Sequence, residues 1–122
     1  MFRVLVIDDN PDMRELMQVV LQGAGYAVDL AGDGDEGFAA QRTRPVDLVI
    51  TDIFMPNQDG IETIARLRAE YPQLKVVAVS GGGSLLRPQG YLVTARELGA
   101  HAVLQKPFDP DELLSTVGEL LQ

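Results

Sequence analysis

Short apolar runs alternate with amphipathic stretches along the whole chain, and no repeat, low-complexity tract or linker interrupts them. Val4-Leu5-Val6-Ile7 is a continuous run rich in β-branched residues, as a strand covered on both faces requires. Asn10 then offers a helix cap, with Pro11 in the first helical position, where a missing N–H loses nothing. Met13, Leu16, Met17, Val20 and Leu21 follow at helical spacing, and Gly23 and Gly25 supply the stop. A second strand is predicted over Tyr26 to Leu30. Asp33 and Glu36 form a capping-box-like pair before a short helix around Phe38 to Arg42. Leu48-Val49-Ile50 marks a third strand, which closes on Asp52. Asp59 and Glu62 repeat the capping spacing ahead of a helix striped with Ile61, Ile64 and Ala65. Val76 to Val79 makes a fourth strand, followed by Ser80 and a glycine run. A helix from Tyr91 to Leu98 and a strand at Ala102 to Leu104 come next. Asp109, Pro110 and Glu112 open the last helix, whose apolar face is Leu113, Leu114, Val117, Leu120 and Leu121.

Five strands alternating with five helices predict an α/β fold, a five-stranded parallel sheet with helices on both faces and right-handed crossovers. The length of 122 residues suits one domain. Such sheets bind ligands beyond the carboxyl ends of their strands. At those ends this chain places Asp8-Asp9, Asp52, Ser80 and Lys106-Pro107. Three carboxylates brought together repel one another unless a cation compensates, and Mg2+ prefers a few carboxylates plus waters and phosphate oxygens. Lys106 adds a second positive charge and Ser80 a hydroxyl, a set suited to a phosphoryl group held on or beside a carboxylate.

Composition narrows the classes. With 18 acidic and 10 basic residues the net charge is −8, which argues against direct nucleic-acid binding and permits hard divalent cations. The absence of cysteine excludes disulfides, thiolate metal sites and cysteine nucleophiles, and fits a cytoplasmic address. The longest apolar runs, Val4 to Ile7 and Val76 to Val79, are far short of the about 20 residues a membrane span needs or the about 7–15 of a signal-peptide core.

Taken together, Asp8-Asp9, the segment Asp52-Ile53-Phe54-Met55-Pro56 with Asp59-Gly60, then Ser80, then Lys106-Pro107-Phe108 resemble the receiver domain of two-component response regulators. The resemblance covers essentially the whole chain and implies a flavodoxin-like (βα)5 receiver fold and a signalling module rather than an enzyme. It assigns Asp52 as phosphoacceptor, taking its phosphoryl group from phosphohistidine on a sensor histidine kinase or histidine phosphotransfer protein. Asp9, Asp52 and the backbone carbonyl of Phe54 would bind Mg2+, with Asp8 acting through a metal-bound water. Lys106 would contact a phosphoryl oxygen, Ser80 would make a new hydrogen bond after phosphorylation, and Gly81 would leave room beside it. The Lys106-Pro107 peptide is expected to be cis, as is usual in the family. The chain closes at Gln122 with the last helix, so the expectation is a stand-alone receiver over residues 1–122 without an output domain. Its signal would leave through a downstream protein, a further phosphorelay step or homodimerisation.

Two positions depart from the family pattern. Val103 stands where receivers commonly carry Tyr or Phe three residues before the lysine, and valine cannot make the large rotamer swing that reports phosphorylation. The span from Ser80 to Lys106 is also a few residues longer than usual, with the surplus in the Gly81–Gly90 stretch. An alternative is therefore a receiver-like interaction module acting independently of phosphorylation. A phosphohydrolase would require Asp-x-Asp after the first strand, where this chain has Asp8-Asp9-Asn10, and a flavodoxin-like cofactor binder would require a phosphate loop there. The remaining signals have structural readings. Asp33, Asp59 and Asp109 are caps that suit the positive ends of helix dipoles. Gly81-Gly82-Gly83 lacks the Lys-Ser/Thr spacing of a P-loop, and His101 is expected in a surface turn.

Overall fold

The computed structural model describes residues 1–53, 60–80 and 99–122. Five strands, β1 (Arg3–Ile7), β2 (Ala27–Ala31), β3 (Leu48–Asp52), β4 (Lys75–Ser80) and β5 (Ala102–Gln105), form one parallel sheet in the order β2-β1-β3-β4-β5. The described helices are α1 (Pro11–Gly23), α2 (Gly34–Thr43), α3 (Gly60–Glu70) and α4 (Pro110–Leu120). The expected helix at Tyr91 to Leu98 and the cap at Asp59 lie outside the described residues.

Alternation along the strands divides the core in two. Leu5, Ile7, Val49, Val76 and Ala78 face Phe38 of α2 and Ile64 and Leu67 of α3. Val4, Val6, Leu48, Ile50, Val77 and Val79 face Met17 and Leu21 of α1 and Leu113 and Val117 of α4. Both faces of β1, β3 and β4 are therefore covered, which is why these strands are unbroken apolar runs. Each fully buried Leu, Ile or Val side chain contributes about 1.5–3 kcal/mol relative to exposure.

Helix starts follow the capping signals. The Asn10 side chain accepts from the backbone N–H groups of Asp12 and Met13 at 2.9 and 3.2 Å, with Pro11 in the first turn. Asp33 and Asp109 accept from the N–H groups of Glu36 and Glu112, each at 2.8 Å. Glu36 reaches back to the N–H of Gly32 at 3.3 Å, one residue earlier than a capping box would have it. At the other end of α1, Gly25 takes φ +97°, a conformation that closes the turn into β2 and that other residues rarely adopt.

Several boundaries and faces differ from the sequence reading. β2 starts one residue later than expected, and α2 runs over Gly34–Thr43 instead of Phe38 to Arg42. The first turn of α2, Gly34-Asp35-Glu36, is polar, so apolar periodicity could not register it. Leu16 is 53% exposed and Val19 63%. The core stripe of α1 centres on Met17 and Leu21, and Leu16 lies about 100° around the helix from Met17.

His101, expected in a surface turn, instead ties β5 to β4. Its Nδ1 accepts from the N–H of Val76 at 3.1 Å, and its own N–H donates to the Val76 carbonyl at 2.7 Å. Burial first, then the positive charges of Arg68 and Lys75, lower its pKa from the usual histidine value. A depressed histidine pKa contributes stability that is complete above about pH 6.5 and is lost as pH falls through the folded-state value. His101→Gln is accordingly expected to flatten the wild type's loss of urea stability between about pH 6.5 and 5. Parallel slopes for the two proteins across that window would contradict this role.

Candidate functional site

Strand register builds the site. Ile7 pairs with Thr51 across β1 and β3, so Asp8 and Asp52 leave the sheet level with each other. Ser80 pairs with Gln105 across β4 and β5, so Lys106 follows directly, and its N–H donates to the Ser80 carbonyl at 2.8 Å. Asp8, Asp52, Ser80 and Lys106, which the sequence placed at strand ends, thus share the carboxyl edge of the sheet. The Lys106-Pro107 peptide is cis, as expected.

Asp8 is fully buried and bonded at every polar atom. Its N–H donates to the Ala31 carbonyl at 3.1 Å, and its carbonyl accepts from Arg14 Nη1 at 2.6 Å. Its Oδ1 accepts from the N–H of Asn10 at 2.9 Å and its Oδ2 from Lys106 Nζ at 3.2 Å. Asp52 is 5% exposed, and its Oδ2 accepts from the same ammonium at 3.0 Å. Asp9, the neighbour of Asp8, is exposed. One carboxylate oxygen from each of Asp8, Asp9 and Asp52 lies within 4.8 Å of the others.

Burial alone would lower the Lys106 pKa, but the charges and hydrogen bonds of Asp52 and then Asp8 outweigh it and hold the pKa above the ordinary lysine value. The ammonium therefore stays charged at neutral pH and below. Three carboxylates share this ammonium, with the Arg14 guanidinium on the Asp8 carbonyl beside them, so among the described residues acids still outnumber cations at this edge. Hard oxygen donors, surplus negative charge and one solvent-facing carboxylate fit Mg2+, which favours a few carboxylates and keeps several waters.

The end of β3 is fixed by backbone. Ile53 N–H donates to the Val79 carbonyl and Gly60 N–H to the Ile53 carbonyl, both at 2.9 Å. This places the start of α3 hard against the phosphoacceptor candidate. Ser80 is buried at the end of β4, and Val103 is half-buried in β5 against the core cluster that includes Ala78 and Val76. Phe54 and Gly81, both named from the resemblance, lie outside the described residues.

Sequence reasoning missed Arg14. It sits in α1, and its guanidinium turns back past the helix start to the Asp8 carbonyl. An arginine on an amphipathic helix usually faces solvent, and no spacing rule marks one that reaches backwards.

Comparison with known proteins agrees with the geometry. The family model for the response regulator receiver domain matches residues 4–118. The transcriptional regulatory protein DltR of Streptococcus agalactiae is 34% identical over 116 residues, covering 94% of this chain and 50% of its own length. The response regulator Rre1 of Synechocystis is 39% identical over 122 residues, covering 97% of this chain and 51% of its own length. The chain therefore spans about half the length of these curated relatives. Among solved structures, the receiver domain of NtrX from Brucella abortus superposes with a TM-score of 0.89 at 32% identity, covering 97% of each chain.

Proposed function

The chain belongs to the response regulator receiver domain family, and we propose that it carries a two-component signal by accepting a phosphoryl group on Asp52 from phosphohistidine on a sensor histidine kinase or histidine phosphotransfer protein. The observation that carries this reading is Lys106 Nζ held 3.0 Å from Asp52 and 3.2 Å from Asp8, with Asp9 alongside. A lone ion pair would need one carboxylate; this cluster keeps two more than its ammonium can neutralise.

Each residue then has a task. An Asp52 carboxylate oxygen attacks phosphorus as the N–P bond to the donor imidazole breaks, leaving an acyl phosphate. Asp9, Asp52 and the Phe54 carbonyl would hold Mg2+, with Asp8 acting through a metal-bound water. The ion, when bound, supplies charge neutralisation for the phosphoryl oxygens during in-line displacement. Lys106 exchanges its Asp52 contact for a phosphoryl oxygen, and the Ser80 hydroxyl donates to the same group. The receiver acts as a unit over residues 1–122 and passes its signal to a downstream protein, a further phosphorelay step or a second copy of itself. Direct contact with nucleic acid is no part of this reading, given 18 acidic against 10 basic residues.

Val103 favours a second reading, a receiver-like module whose partner binding ignores phosphorylation. A half-buried valine in β5 offers no aromatic ring to move between two positions. Under that reading, partner affinity is the same for the wild type and for Asp52→Asn, with or without phosphodonor.

Incubation with Mg2+ and acetyl phosphate is expected to add one phosphoryl group, which chelation of the metal prevents. A wild-type chain that takes up none under these conditions contradicts the leading reading.

A further inference from the structure

Arg14 is a charged side chain near the acidic edge that neither the sequence pattern nor the proposed chemistry uses. Its Nη1 lies 2.6 Å from the carbonyl oxygen of Asp8, short even for a charge-assisted hydrogen bond. That carbonyl belongs to the peptide linking Asp8 to Asp9. The Asp8 end of the peptide is already anchored through the Ala31 carbonyl, the Asn10 N–H and Lys106. Asp9 has no such ties: its carboxylate is exposed and makes no hydrogen bond or ion pair to the described residues. With no such tie, the placement of the Asp9 Cα–Cβ bond rests on its backbone, and Arg14 holds the peptide plane that leads into it.

A Cβ on Gly32 would lie 3.3 Å from both Arg14 Nη1 and Glu36 Oε2, so both charged groups lie beside this glycine. Glu36 is anchored by the Gly32 N–H and sits in the first turn of α2. Arg14 thus reaches from the loop after β1 to the neighbourhood of Gly32 in the loop after β2.

We propose that Arg14 is a positioning residue for the divalent-cation site, orienting the Asp8–Asp9 peptide so that the Asp9 carboxylate converges with Asp8 and Asp52. The inference rests on the proposed Mg2+ site and deepens it by naming a residue that touches neither metal nor phosphoryl group.

Two accounts of Arg14 predict opposite signs. If it acted only as a nearby positive charge, removing it would tighten Mg2+ binding. If it orients Asp9, removing it weakens binding, as loss of residues that orient metal ligands typically does by about 10–100-fold. Titration calorimetry with MgCl2 on the wild type, Arg14→Met and Arg14→Lys separates them. Arg14→Met is expected to raise the Mg2+ dissociation constant about tenfold. Arg14→Lys, with its charge but without the planar fork, is expected to recover only part of the affinity. The metal-free thermal midpoint of Arg14→Lys should stay near that of the wild type, so the effect is read apart from folding. Unchanged or tighter Mg2+ binding by either folded variant overturns the role of Arg14. Absence of Mg2+ binding by the wild type overturns the metal site itself, and the role with it.

Discussion

Lys106→Met is expected to destabilise the metal-free protein by about 3 kcal/mol and to make its stability depend on Mg2+. The lysine ammonium bridges two carboxylates of which Asp8 is fully buried and Asp52 nearly so, and its own side chain is 18% exposed. Removing one partner of a buried ion pair leaves an uncompensated charge and costs about 3–5 kcal/mol; the low end applies because the Asp9 side of the cluster opens to water. Methionine fills most of the volume of the lysine stem, so the effect isolates the charge. Because the pairing raises the lysine pKa, its contribution is complete below the ordinary lysine value and fades as pH rises through the folded-state one. The difference between wild type and variant should therefore be full at pH 7 and shrink only in strongly alkaline solution. Urea unfolding with and without Mg2+ measures it. Added Mg2+ should stabilise Lys106→Met more than the wild type, since the metal then meets carboxylates that have lost their shared ammonium. Equal urea midpoints for the two metal-free proteins at pH 7 would rule out this account of the pocket charge.

Gly60→Ala has the other large expected effect, through sterics. A Cβ on Gly60 would overlap the carbonyl oxygen of Asp52 and come within 2.6 Å of Ile53 Cα and 2.8 Å of the Ile53 carbonyl oxygen. All three atoms are backbone, so no side chain can swing aside. The start of α3 would have to move away from the end of β3, breaking the bond from Gly60 N–H to the Ile53 carbonyl at 2.9 Å. A loss of at least about 3 kcal/mol follows, the upper end of overpacking costs, together with displacement of Asp52. Gly32→Ala is the natural control. The atoms near its added methyl group are the flexible ends of Arg14 and Glu36 at 3.3 Å, which can yield. Urea unfolding should separate the two substitutions clearly. A Gly60→Ala protein within about 0.5 kcal/mol of wild type would show that α3 does not press on the end of β3.

Much of this was legible in the residues. Strands β1, β3 and β4 are buried on both faces, so their apolar runs stand out without knowledge of their neighbours. Asp52 stands out for a related reason, since a carboxylate that closes a buried strand has no solvation advantage there and needs another role, whereas Asp8 and Asp9 alone read equally as turn residues. Asn10, Asp33 and Asp109 announced their helices because capping is a local interaction of side chain with nearby backbone. What escaped depends on tertiary context. Leu16 belongs to the same periodic set as Met17, and only the position of the sheet decides that Met17 is covered and Leu16 is not. His101 looked like a turn residue because the Val76 N–H it accepts from is 25 positions away. Arg14 escaped because its partner is a carbonyl, which leaves no trace in a pattern of side chains.

The central claim is that Asp52 is the phosphoacceptor. The most direct measurement is intact-mass spectrometry of the wild type and Asp52→Asn after incubation with Mg2+ and acetyl phosphate, each sample repeated with the metal chelated. The account predicts one added phosphoryl group on the wild type, none without Mg2+, and none on Asp52→Asn. Equal phosphoryl uptake by Asp52→Asn and the wild type would contradict it.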